Sequence, residues 1–405
     1  MIDARAARNE PDEFRHRLAR KGAAEEFDTW LAADERWREL VPRVDELRSR
    51  TKLKGKPTPE QLEELRGVKE ELQRTEQELS EAEATRDEVG LRIPNLPADD
   101  VPDGATEDDV RVERVVGEPP RLIDPKESIE LGHFDMERAA RMSGARFGYW
   151  IGDTGRLALA LYRYALDRLA AKGFVTILPP VLVREEALIG TGAFPSDEQN
   201  VYEIPEDGLY LSATAEIPVA SLHAGEILEA ETLPLRYVAF SPCFRREAGA
   251  AGKDTRGILR VHQFDKVEMV LFERPGESEA ALEWMTERAE ILLQRLGLAY
   301  RVILMATREL GFVQAKKYDL ETWAPGVERW LEVSSCSNFR DYQARRMAIR
   351  FRPEPGAKPE LVHTLNGSGL ALARIVATIL ETYQQPDGSV RVPDVLQPYV
   401  RSETL

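Results

Sequence analysis

The stretch FRREAGAAGKDTRGILRVHQFDKVEM, residues 244–269, contains the features around which the rest of the sequence can be arranged. A strand-like run, Tyr237–Phe240, precedes it, and a loop of small residues, Ala248–Gly257, follows its first four residues. Residues Ile258–Met269 predict a second strand, so the two strands should form a hairpin. One face of that second strand is expected to carry His262, Phe264, Lys266 and Glu268.

Charged and aromatic side chains give this hairpin two possible roles. Arg245 and Arg256 each offer a guanidinium fork that suits a phosphate group, and Phe264 offers an apolar plate for a base ring. The other interpretation is a solvated hairpin whose charged residues form cross-strand ion pairs. The residue types alone leave both interpretations open.

The order of these residues resembles the second signature motif of class II aminoacyl-tRNA synthetases: Phe-Arg-x-Glu, a variable loop, then Arg/His-x-x-x-Phe. The run from Glu247 to Met269 is similar to the seryl family of these enzymes. The resemblance implies an α+β protein, with a helical arm followed by a catalytic domain built on an antiparallel sheet flanked by helices. It also implies an ATP-dependent ligase that activates L-serine and transfers it to the 3′-terminal adenosine of tRNA(Ser), with tRNA(Sec) as a second acceptor.

Length and composition fit a folded protein with a substantial core, since 42% of the 405 residues are hydrophobic. No apolar run follows a basic N-terminus, and no stretch approaches the ~20 apolar residues of a membrane span. We therefore expect neither a signal peptide nor a membrane helix, and the expected location is the cytoplasm.

The cysteine count and the charge limit the possible cofactors and partners. Only Cys243 and Cys336 are present, and the five histidines are scattered, so no disulfide framework or zinc site is expected. The formal charge of −16 disfavours nonspecific nucleic-acid binding over the whole surface. An RNA partner would have to bind a local basic patch.

A long helical hairpin is predicted near the N-terminus. Apolar residues recur every seven positions in two segments, separated by a break at Gly55–Pro59. The first segment contains Trp30, Ala33, Trp37, Leu40, Val44 and Leu47, and the second contains Leu65, Val68, Leu72, Thr75, Leu79, Ala82 and Val89. Two such helices joined by a short break fold back as an antiparallel coiled coil about 45 Å long. Self-association through this coiled coil is the alternative to RNA binding.

The charge distribution of the arm favours RNA binding at its tip. From Arg43 to Lys56 there are six basic and two acidic residues, whereas Glu60–Glu88 contains eleven acidic and four basic residues. The candidate tRNA-binding residues are Arg43, Arg48, Arg50, Lys52, Lys54 and Lys56.

Two prolines end the second helix within Ile93–Pro97, a stretch that also resembles the seryl family, and an acidic segment to about Asp109 predicts a linker. We expect a helical domain over residues 1–105 and a catalytic domain over residues 106–405. The latter contains neither a Rossmann glycine fingerprint nor a phosphate-binding GxxxxGK[ST] loop.

A helix over Gly152–Ala171 and a proline-bearing strand over Phe174–Val183 follow the linker. Pro179 and Pro180 restrict that strand to an edge or boundary. The pair resembles the first class II motif, which implies a homodimer interface and a tRNA arm that acts across the dimer. From the residues alone an ordinary edge strand is an equally good interpretation.

Three further clusters are candidates for binding. Thr214 and Glu216 lie two residues apart and would share a face if extended, which suits an ammonium ligand, although Thr214 could equally cap a helix. Glu332, Ser334 and Cys336 alternate on a predicted strand with Ser335 beside them, and such oxygen ligands suit magnesium.

The third cluster is a predicted turn with Gly367 and Gly369 around Ser368, followed by a helix. Arg374 lies in that otherwise apolar helix, and a buried arginine is costly without a partner. A structural salt bridge is one explanation for Arg374. The resemblance implies instead that it is the arginine of the third class II motif.

The resemblance assigns the site residues as follows. The catalytic residues are Arg245, Glu332 and Arg374. The ATP-binding residues are Arg245, Arg246, Glu247, Arg256, Val261, Phe264, Glu332, Val333, Ser334, Ser335 and Arg374. The serine-binding residues are Thr214, Ala215, Glu216, Arg245, Glu268 and Ser368, and the Mg²⁺ ligands are Glu332 and Ser335.

Two features depart from the family pattern, namely an arm that looks shorter and the run GTGAFPSDEQN, residues 190–200. Two other functions compete with this assignment. An enzyme that loads an amino acid onto a carrier protein would share the activation chemistry but lack a complete arm. A catalytically inactive scaffold would not need a complete set of site residues, namely Arg245, Glu247, Glu268, Glu332 and Arg374.

Overall fold

The computed structural model describes residues 1–52, 58–248 and 257–405. Three residues of the predicted sites, Lys54, Lys56 and Arg256, lie outside the described residues. The chain divides into two compact units, Met1–Leu96 and Pro97–Leu405. None of the described helices is both long enough and apolar enough to cross a membrane.

The first unit is helical. Its helices are α1 (Ala4–Asn9), α2 (Pro11–Ala19), α3 (Ala24–Arg50) and α4 (Pro59–Leu91). The heptad pattern correctly predicts that α3 and α4 pair, with Leu40, Val44 and Leu47 of α3 buried beside Val68 and Thr75 of α4. Thr58 caps α4 through a reciprocal hydrogen-bonded box with Gln61, which fixes where the returning helix begins.

Ion pairs also link the two long helices. Arg36 contacts Glu78 at 3.1 Å, and Arg43 contacts Glu71 at 2.9 Å. Arg48 contacts Glu76, also at 2.9 Å. The acidic residues of the returning helix therefore lie opposite basic residues of α3, which explains the unequal charge of the two segments.

A small aromatic core closes the base of the helical pair. Phe27 stacks between Phe14 and Trp30, with ring centroids 6.1 Å and 5.9 Å apart. Trp30 lies against Gly90, where a Cβ atom would come within 3.3 Å of the indole ring. A glycine in the last turn of α4 thus allows the tryptophan to pack against the backbone.

The second unit contains nine α-helices and sixteen strands within residues 97–248 and 257–405. The helices are α5 (Ser128–Leu131), α6 (Met136–Ser143), α7 (Asp153–Ala170), α8 (Glu185–Thr191), α9 (Glu216–Ala220), α10 (Ser278–Arg295), α11 (Tyr342–Met347), α12 (Leu372–Thr382) and α13 (Gln397–Val400). The strands are β1 (Arg111–Val116), β2 (Phe134–Asp135), β3 (Tyr149–Trp150), β4 (Val175–Ile177), β5 (Leu182–Val183), β6 (Tyr202–Ile204), β7 (Leu209–Leu211), β8 (Ile227–Glu229), β9 (Leu235–Phe244), β10 (Gln263–Glu273), β11 (Tyr300–Leu304), β12 (Lys316–Ala324), β13 (Arg329–Arg340), β14 (Arg350–Arg352), β15 (Glu360–Leu361) and β16 (His363–Ala371).

Eight strands form the main sheet in the order β1-β11-β12-β13-β16-β10-β9-β4. All pairs are antiparallel except the last, in which β4 runs parallel to β9. The helices α7, α10 and α12 pack on the sheet with an apolar core that includes Leu161, Met285 and Ile379. The predicted antiparallel sheet with flanking helices is confirmed. The predicted strand Phe174–Val183 is instead two short strands, the edge strand β4 and the strand β5 of a separate sheet, and Pro179 and Pro180 lie in the segment between them.

Three other local expectations are wrong. The second hairpin strand begins at Gln263 instead of Ile258, because ladder pairing with β9 starts only where Gln263 lies opposite Phe244. The segment Thr214–Glu216 is not extended, since Glu216 begins the short helix α9. Residues 365–371 form the end of a central strand, not a turn, because they pair with β10.

The glycines of that central strand serve close packing. A Cβ atom at Gly367 would lie 3.0 Å from the sulfur atoms of Cys336 and Met285. At Gly369 it would lie 3.0 Å from a methyl group of Leu169. The two glycines therefore let β16 pack closely against its neighbours and the core. Glycines in a strand serve such close packing, whereas the sequence pattern alone suggests a turn.

Replacing Leu40 with alanine should destabilise the helical unit by about 2–4 kcal/mol, because the side chain is 2% exposed and its removal leaves a cavity. The measurement is urea unfolding followed by tryptophan fluorescence. Leu62→Ala is the matched control, since Leu62 is 51% exposed and its loss should cost less than about 0.5 kcal/mol. Equal losses of stability in both variants would contradict the prediction that Leu40 lies in the buried interface between α3 and α4.

Candidate active site

One face of β10 and the end of β9 form the first wall of the site. The guanidinium carbon of Arg245 lies 5.1 Å from the ring centre of Phe264, so the cation covers the aromatic plate. Arg245 Nε donates to the carbonyl of Ala213 at 3.4 Å. The ring Nδ1 of His262 lies 2.9 Å from the Arg245 carbonyl oxygen, and the His262 carbonyl accepts from the Arg245 amide. His262 thus braces the backbone that carries Arg245.

The second wall comes from β13 and α12. Arg374 Nη1 donates to the Glu332 carbonyl oxygen at 2.8 Å and approaches its Oε2 atom at 3.4 Å. Arg374 Nε reaches the Leu259 carbonyl at 3.4 Å, so one guanidinium connects the hairpin, β13 and α12. The ion pair with Glu332 explains how an arginine is tolerated in an apolar helix, and both side chains stay partly exposed, at 32% and 47%.

A register shift in β13 decides which side chains face the site. Leu320 lies opposite Ser334, but Glu321 lies opposite Glu332, so Val333 is an extra residue in the ladder. The predicted alternation of Glu332, Ser334 and Cys336 on one face is therefore wrong. Ser334 and Cys336 are buried, whereas Glu332 is exposed and Ser335 is half-buried. The bulge thus separates Glu332 from Ser334 and Cys336.

Three charged groups surround Glu332. Removal from water raises the pKa of this carboxyl, but the positive charges of Arg374, Lys317 and Arg245 outweigh that effect and leave its pKa below the ordinary value. On the neighbouring strand Lys317 Nζ lies 3.1 Å from Asp319 Oδ2, and burial raises the pKa of Asp319. Glu332 therefore stays ionised near neutral pH within a largely cationic setting.

A second group of polar residues lies at the other end of the β10 face. Asn366 Nδ2 donates both to Glu216 Oε2 at 2.6 Å and to Glu268 Oε1 at 2.9 Å. Gln343 Nε2 donates to Glu216 Oε1 at 2.7 Å, and Ser368 Oγ donates to Glu268 Oε2 at 3.2 Å. Two carboxylates are thus joined through one amide, a suitable arrangement for an ammonium and a hydroxyl on one small ligand.

Glu216 has an unusual ionisation. Burial, reinforced by the negative charge of Glu268, raises its pKa to about 7, although the hydrogen bond from Gln343 and the charges of Lys266 and Arg245 oppose this shift. The Thr214 hydroxyl accepts from the Glu216 amide at 3.3 Å. The N-cap residue of α9 is Ala215, so this contact is a local turn before the helix and not the helix cap considered for Thr214.

Glu247 adopts a positive φ of 51°, an uncommon conformation for a residue other than glycine. Its Oε2 atom accepts from Arg260 Nε at 2.6 Å. Arg260 is the arginine of the Arg-x-x-x-Phe pattern that ends at Phe264, but the sequence prediction gave it no contact in the site. The conformation of Glu247 is thus supported by a charged hydrogen bond from the far side of the loop.

The remaining predicted residues differ in what they offer. Ala215, Val333 and Ser334 are buried, and Ser334 Oγ donates to the Ser368 carbonyl at 2.5 Å. Val261 is half-buried. Arg246 is exposed and lines a separate cavity of about 650 Å³ that also contacts Phe194, Pro195, Ser196, Glu198, Gln199, Val201, Glu203 and Tyr210.

Sequence reasoning missed Gln343, Asn366 and Lys266. Asn366 could have been found, because it precedes Ser368 by two residues and so shares its face on a strand. Gln343 could not, because it is separated from Glu216 by 127 residues and lies on a different helix. Only the fold brings those two side chains together.

The donor atoms near Glu332 are compatible with Mg²⁺. A carboxylate and the hydroxyl of Ser335 are hard oxygen ligands, and Mg²⁺ is commonly held by one or two protein groups plus substrate phosphates. Within residues 1–52, 58–248 and 257–405, no three His, Cys, Asp or Glu side chains are grouped to hold a metal ion alone. A cation here would therefore depend on ligands from a bound nucleotide.

Of the described basic residues near the arm tip, Arg43 and Arg48 form the ion pairs with α4, while each keeps 56% of its side chain exposed. Arg50 and Lys52 are exposed. The structure thus shows that Arg43 and Arg48 help to join α3 and α4, whereas the sequence predicted only that they bind tRNA.

Comparison with known proteins agrees with this geometry. Residues 1–97 match the seryl-tRNA synthetase N-terminal domain, and residues 201–383 match the tRNA synthetase class II core domain of the G, H, P, S and T enzymes. The chain is 45% identical to a serine--tRNA ligase of Bacillus pumilus over all of both chains. It is 46% identical to that of Salinibacter ruber, over 98% of each chain.

Solved structures give the same result. The seryl-tRNA synthetase of Pyrococcus horikoshii complexed with ATP matches with a TM-score of 0.94 and 39% identity, over 100% of this chain and 99% of that one. The cytoplasmic serine-tRNA ligase of Naegleria fowleri in complex with AMP matches with a TM-score of 0.88 and 33% identity, over 97% and 95% of the two chains. The chain therefore belongs to the seryl-tRNA synthetase family of class II aminoacyl-tRNA synthetases.

Proposed function

We propose that this protein is a serine--tRNA ligase, which forms seryl-adenylate and pyrophosphate from L-serine and ATP and then transfers serine to the 3′-terminal adenosine of tRNA(Ser). The observation that carries this proposal is the single polar surface along β10. Phe264 and Arg245 lie at one end of it, and Glu268 with Glu216 lies at the other.

ATP would bind at the Phe264 end. The ring would stack on adenine, Arg245 would contact the α-phosphate, and Arg374 would contact the outer phosphates. Val261, Val333 and Ser334 offer backbone groups, and Glu247 offers a carboxylate for the adenine amino group. Arg246, Arg256 and Ser335 complete the assigned ATP-binding set. When bound, Mg²⁺ held by Glu332 and Ser335 would neutralise phosphate charge.

The adenylation step needs no general base from the protein. The carboxylate of serine is already ionised near neutral pH, and it attacks the α-phosphorus while pyrophosphate leaves. What Arg245 and Arg374 supply is alignment and charge neutralisation along the phosphate chain. These two arginines, with Glu332, are therefore the catalytic residues that we propose.

Serine would bind at the other end. Its ammonium would face Glu216 and the Thr214–Ala215 segment, and its hydroxyl would donate to Glu268 beside Ser368. Alanine cannot supply that hydroxyl, so it would leave polar groups of the pocket without a partner. A pocket built around a substrate hydroxyl can reject the analogue that lacks it by about 10⁴-fold.

The transfer step involves the rest of the chain. We propose that the arm binds tRNA(Ser), and tRNA(Sec) where the cell makes it, through Arg43, Arg48, Arg50, Lys52, Lys54 and Lys56. In this proposal the arm of one subunit serves the active site of the other in a homodimer, and the homodimer itself is supported by apolar side chains exposed on α7 and β4. Leu159 is 66% and Val175 is 58% exposed. The proposed location is the cytoplasm.

ATP/pyrophosphate exchange should depend on serine and should be at least 10³-fold weaker with alanine, threonine or proline. Arg245→Ala should reduce exchange by about 10²–10³-fold while far-UV circular dichroism stays unchanged, because it removes a donor to the reacting phosphate. Charging of total tRNA completes the assay. Exchange without tRNA charging would favour the carrier-protein function, and absence of exchange with serine would refute the proposal.

The KM for serine should rise as the pH falls from 8 to 6, by roughly tenfold per pH unit below the pKa of about 7 for Glu216. The protonated form predominates below that value, and a neutral carboxyl cannot pair with the serine ammonium. The KM for ATP, measured in the same exchange assay, should change less than about threefold. Glu216→Gln should raise the KM for serine at pH 8 and remove its pH dependence. A wild-type profile that is flat over this range would show that Glu216 does not bind the ammonium.

Deleting Trp37–Leu79 should leave serine-dependent exchange within about threefold of wild type and reduce tRNA charging by at least 10²-fold, because the arm would be needed only for RNA. Loss of both activities would mean that the arm supports the fold of the catalytic unit. Mixing this variant with Arg245→Ala subunits tests the dimer. Recovery of charging in the mixture requires an arm that acts across the subunits.

A further inference from the structure

We propose that Lys266 is a positioning residue for serine recognition, because its ammonium fixes Glu268 so that one carboxylate oxygen is presented to the side-chain hydroxyl of the amino acid. This inference rests on the serine-binding role proposed for Glu268. The role that it assigns to Lys266 concerns the choice of amino acid and is separate from the nucleotide contacts of the hairpin.

The contact between the two residues is direct and buried. Lys266 Nζ lies 2.7 Å from Glu268 Oε2, and their side chains are 7% and 0% exposed. They lie two residues apart on β10 and so share one face of the strand. No other carboxylate oxygen of the described residues lies within 4.0 Å of this ammonium. The charge of Lys266 is therefore directed mainly at Glu268.

Lys266 contacts Glu268 directly and acts on Glu216 at longer range, where its charge opposes the rise in the pKa of that carboxyl. Across the ladders it lies opposite Ser241 of β9 and Ala371 of β16, and neither residue carries a charge. A buried ion pair contributes little net stability compared with apolar residues of similar volume, because both charges lose water. A requirement of the ligand explains the pair better than a requirement of the fold.

The hydrogen bonds of Glu268 are distributed unequally between its oxygen atoms. Oε2 accepts from Lys266 at 2.7 Å and from Ser368 at 3.2 Å. Oε1 accepts from Asn366 alone among the described residues, at 2.9 Å. A carboxylate oxygen has about two lone-pair directions, so Oε2 is filled while Oε1 keeps one direction for a further donor. Lys266 thus determines which oxygen remains available.

The strand geometry holds this arrangement in place. The ladder between β10 and β16 shifts register between Val267 and Glu268, which leaves Gly369 as an extra residue and brings Ser368 opposite Glu268. A Cβ atom at Gly369 would lie 3.2 Å from a methyl group of Val267. The backbone at Val267, next to Glu268, is therefore closely packed, and Lys266, Ser368 and Asn366 together hold the carboxylate.

A double-mutant cycle tests the inference in the full-length protein. Lys266→Met, Glu268→Gln and the double variant are compared by ATP/pyrophosphate exchange, with KM measured separately for serine and for ATP. Lys266→Met should raise the KM for serine about 10–100-fold and narrow the preference for serine over alanine, while the KM for ATP stays within about twofold. In the Glu268→Gln background, Lys266→Met should raise the KM for serine by at most about a further threefold, since its remaining effect acts through Glu216.

Lys316→Met is the matched control. Lys316 is also a strand lysine, 7% exposed, and its Nζ lies 2.6 Å from Asp100 Oδ2, away from the β10 surface. This variant should lower stability but leave both KM values within about twofold of wild type. If Lys266→Met fails to fold, Lys266→Arg serves as the charge-preserving variant and should retain most of the preference for serine over alanine.

The outcomes separate this inference from the function on which it rests. If Glu268→Gln does not change the KM for serine, the proposed role of Glu268 is wrong and the role of Lys266 is wrong with it. If Glu268→Gln raises that KM but Lys266→Met does not, only the inference about Lys266 is overturned. Effects that multiply in the double variant, or equal increases in the two KM values, would also overturn it.

Discussion

The pairing of β16 between β10 and β13 is the constraint on which the site depends. It places Ser368 opposite Glu268 and brings the third-motif helix α12 next to Glu332. That pairing requires backbone without side chains at Gly367 and Gly369, where a Cβ atom would come within 3.0 Å of neighbouring side chains. The close packing of β16 in the core therefore also maintains the geometry of the polar surface, because a shift of β16 would separate the groups proposed to bind serine.

Electrostatics divides the surface along β10 into two parts with opposite character. Around Glu332 the cations Arg245, Lys317 and Arg374 dominate, so the carboxyl remains ionised and positive charge is available to phosphates. Around Glu268 and Glu216 the carboxylates are linked by neutral amides, and burial raises the pKa of Glu216. A phosphate chain and an ammonium group would thus each meet a complementary environment, and a reversed orientation of the substrates would be disfavoured.

The sequence predicts those features that local periodicity and residue type determine. The heptads of α3 and α4, the hairpin with Arg245 and Phe264, and an edge strand at Val175–Ile177 are all found, although Pro179 and Pro180 lie outside that strand. The misassigned features depend on neighbours distant in sequence. Gly367 and Gly369 indicate a turn when only the sequence is considered, but they are needed because β10 and Met285 pack beside them. The bulge at Val333 interrupts the alternation of exposed and buried residues that the sequence suggests. No local signal connects Gln343 with Glu216, since that contact requires the assembled sheet and helices, whereas the shared face of Lys266 and Glu268 follows from their spacing of two residues on one strand.

The cross-helix ion pairs of the arm affect how its RNA binding would respond to salt. Arg43 and Arg48 lie against Glu71 and Glu76, in pairs that are largely exposed and therefore weakened by ionic strength. A phosphate that contacts either arginine has to compete with an intramolecular carboxylate, so fewer counterions are released than the number of basic residues suggests. The slope of log Kd against log salt concentration would consequently underestimate the number of arm residues at the interface. The acidic helix α4 would then compete with RNA for these arginines, which would favour acceptors that reach several basic residues at once.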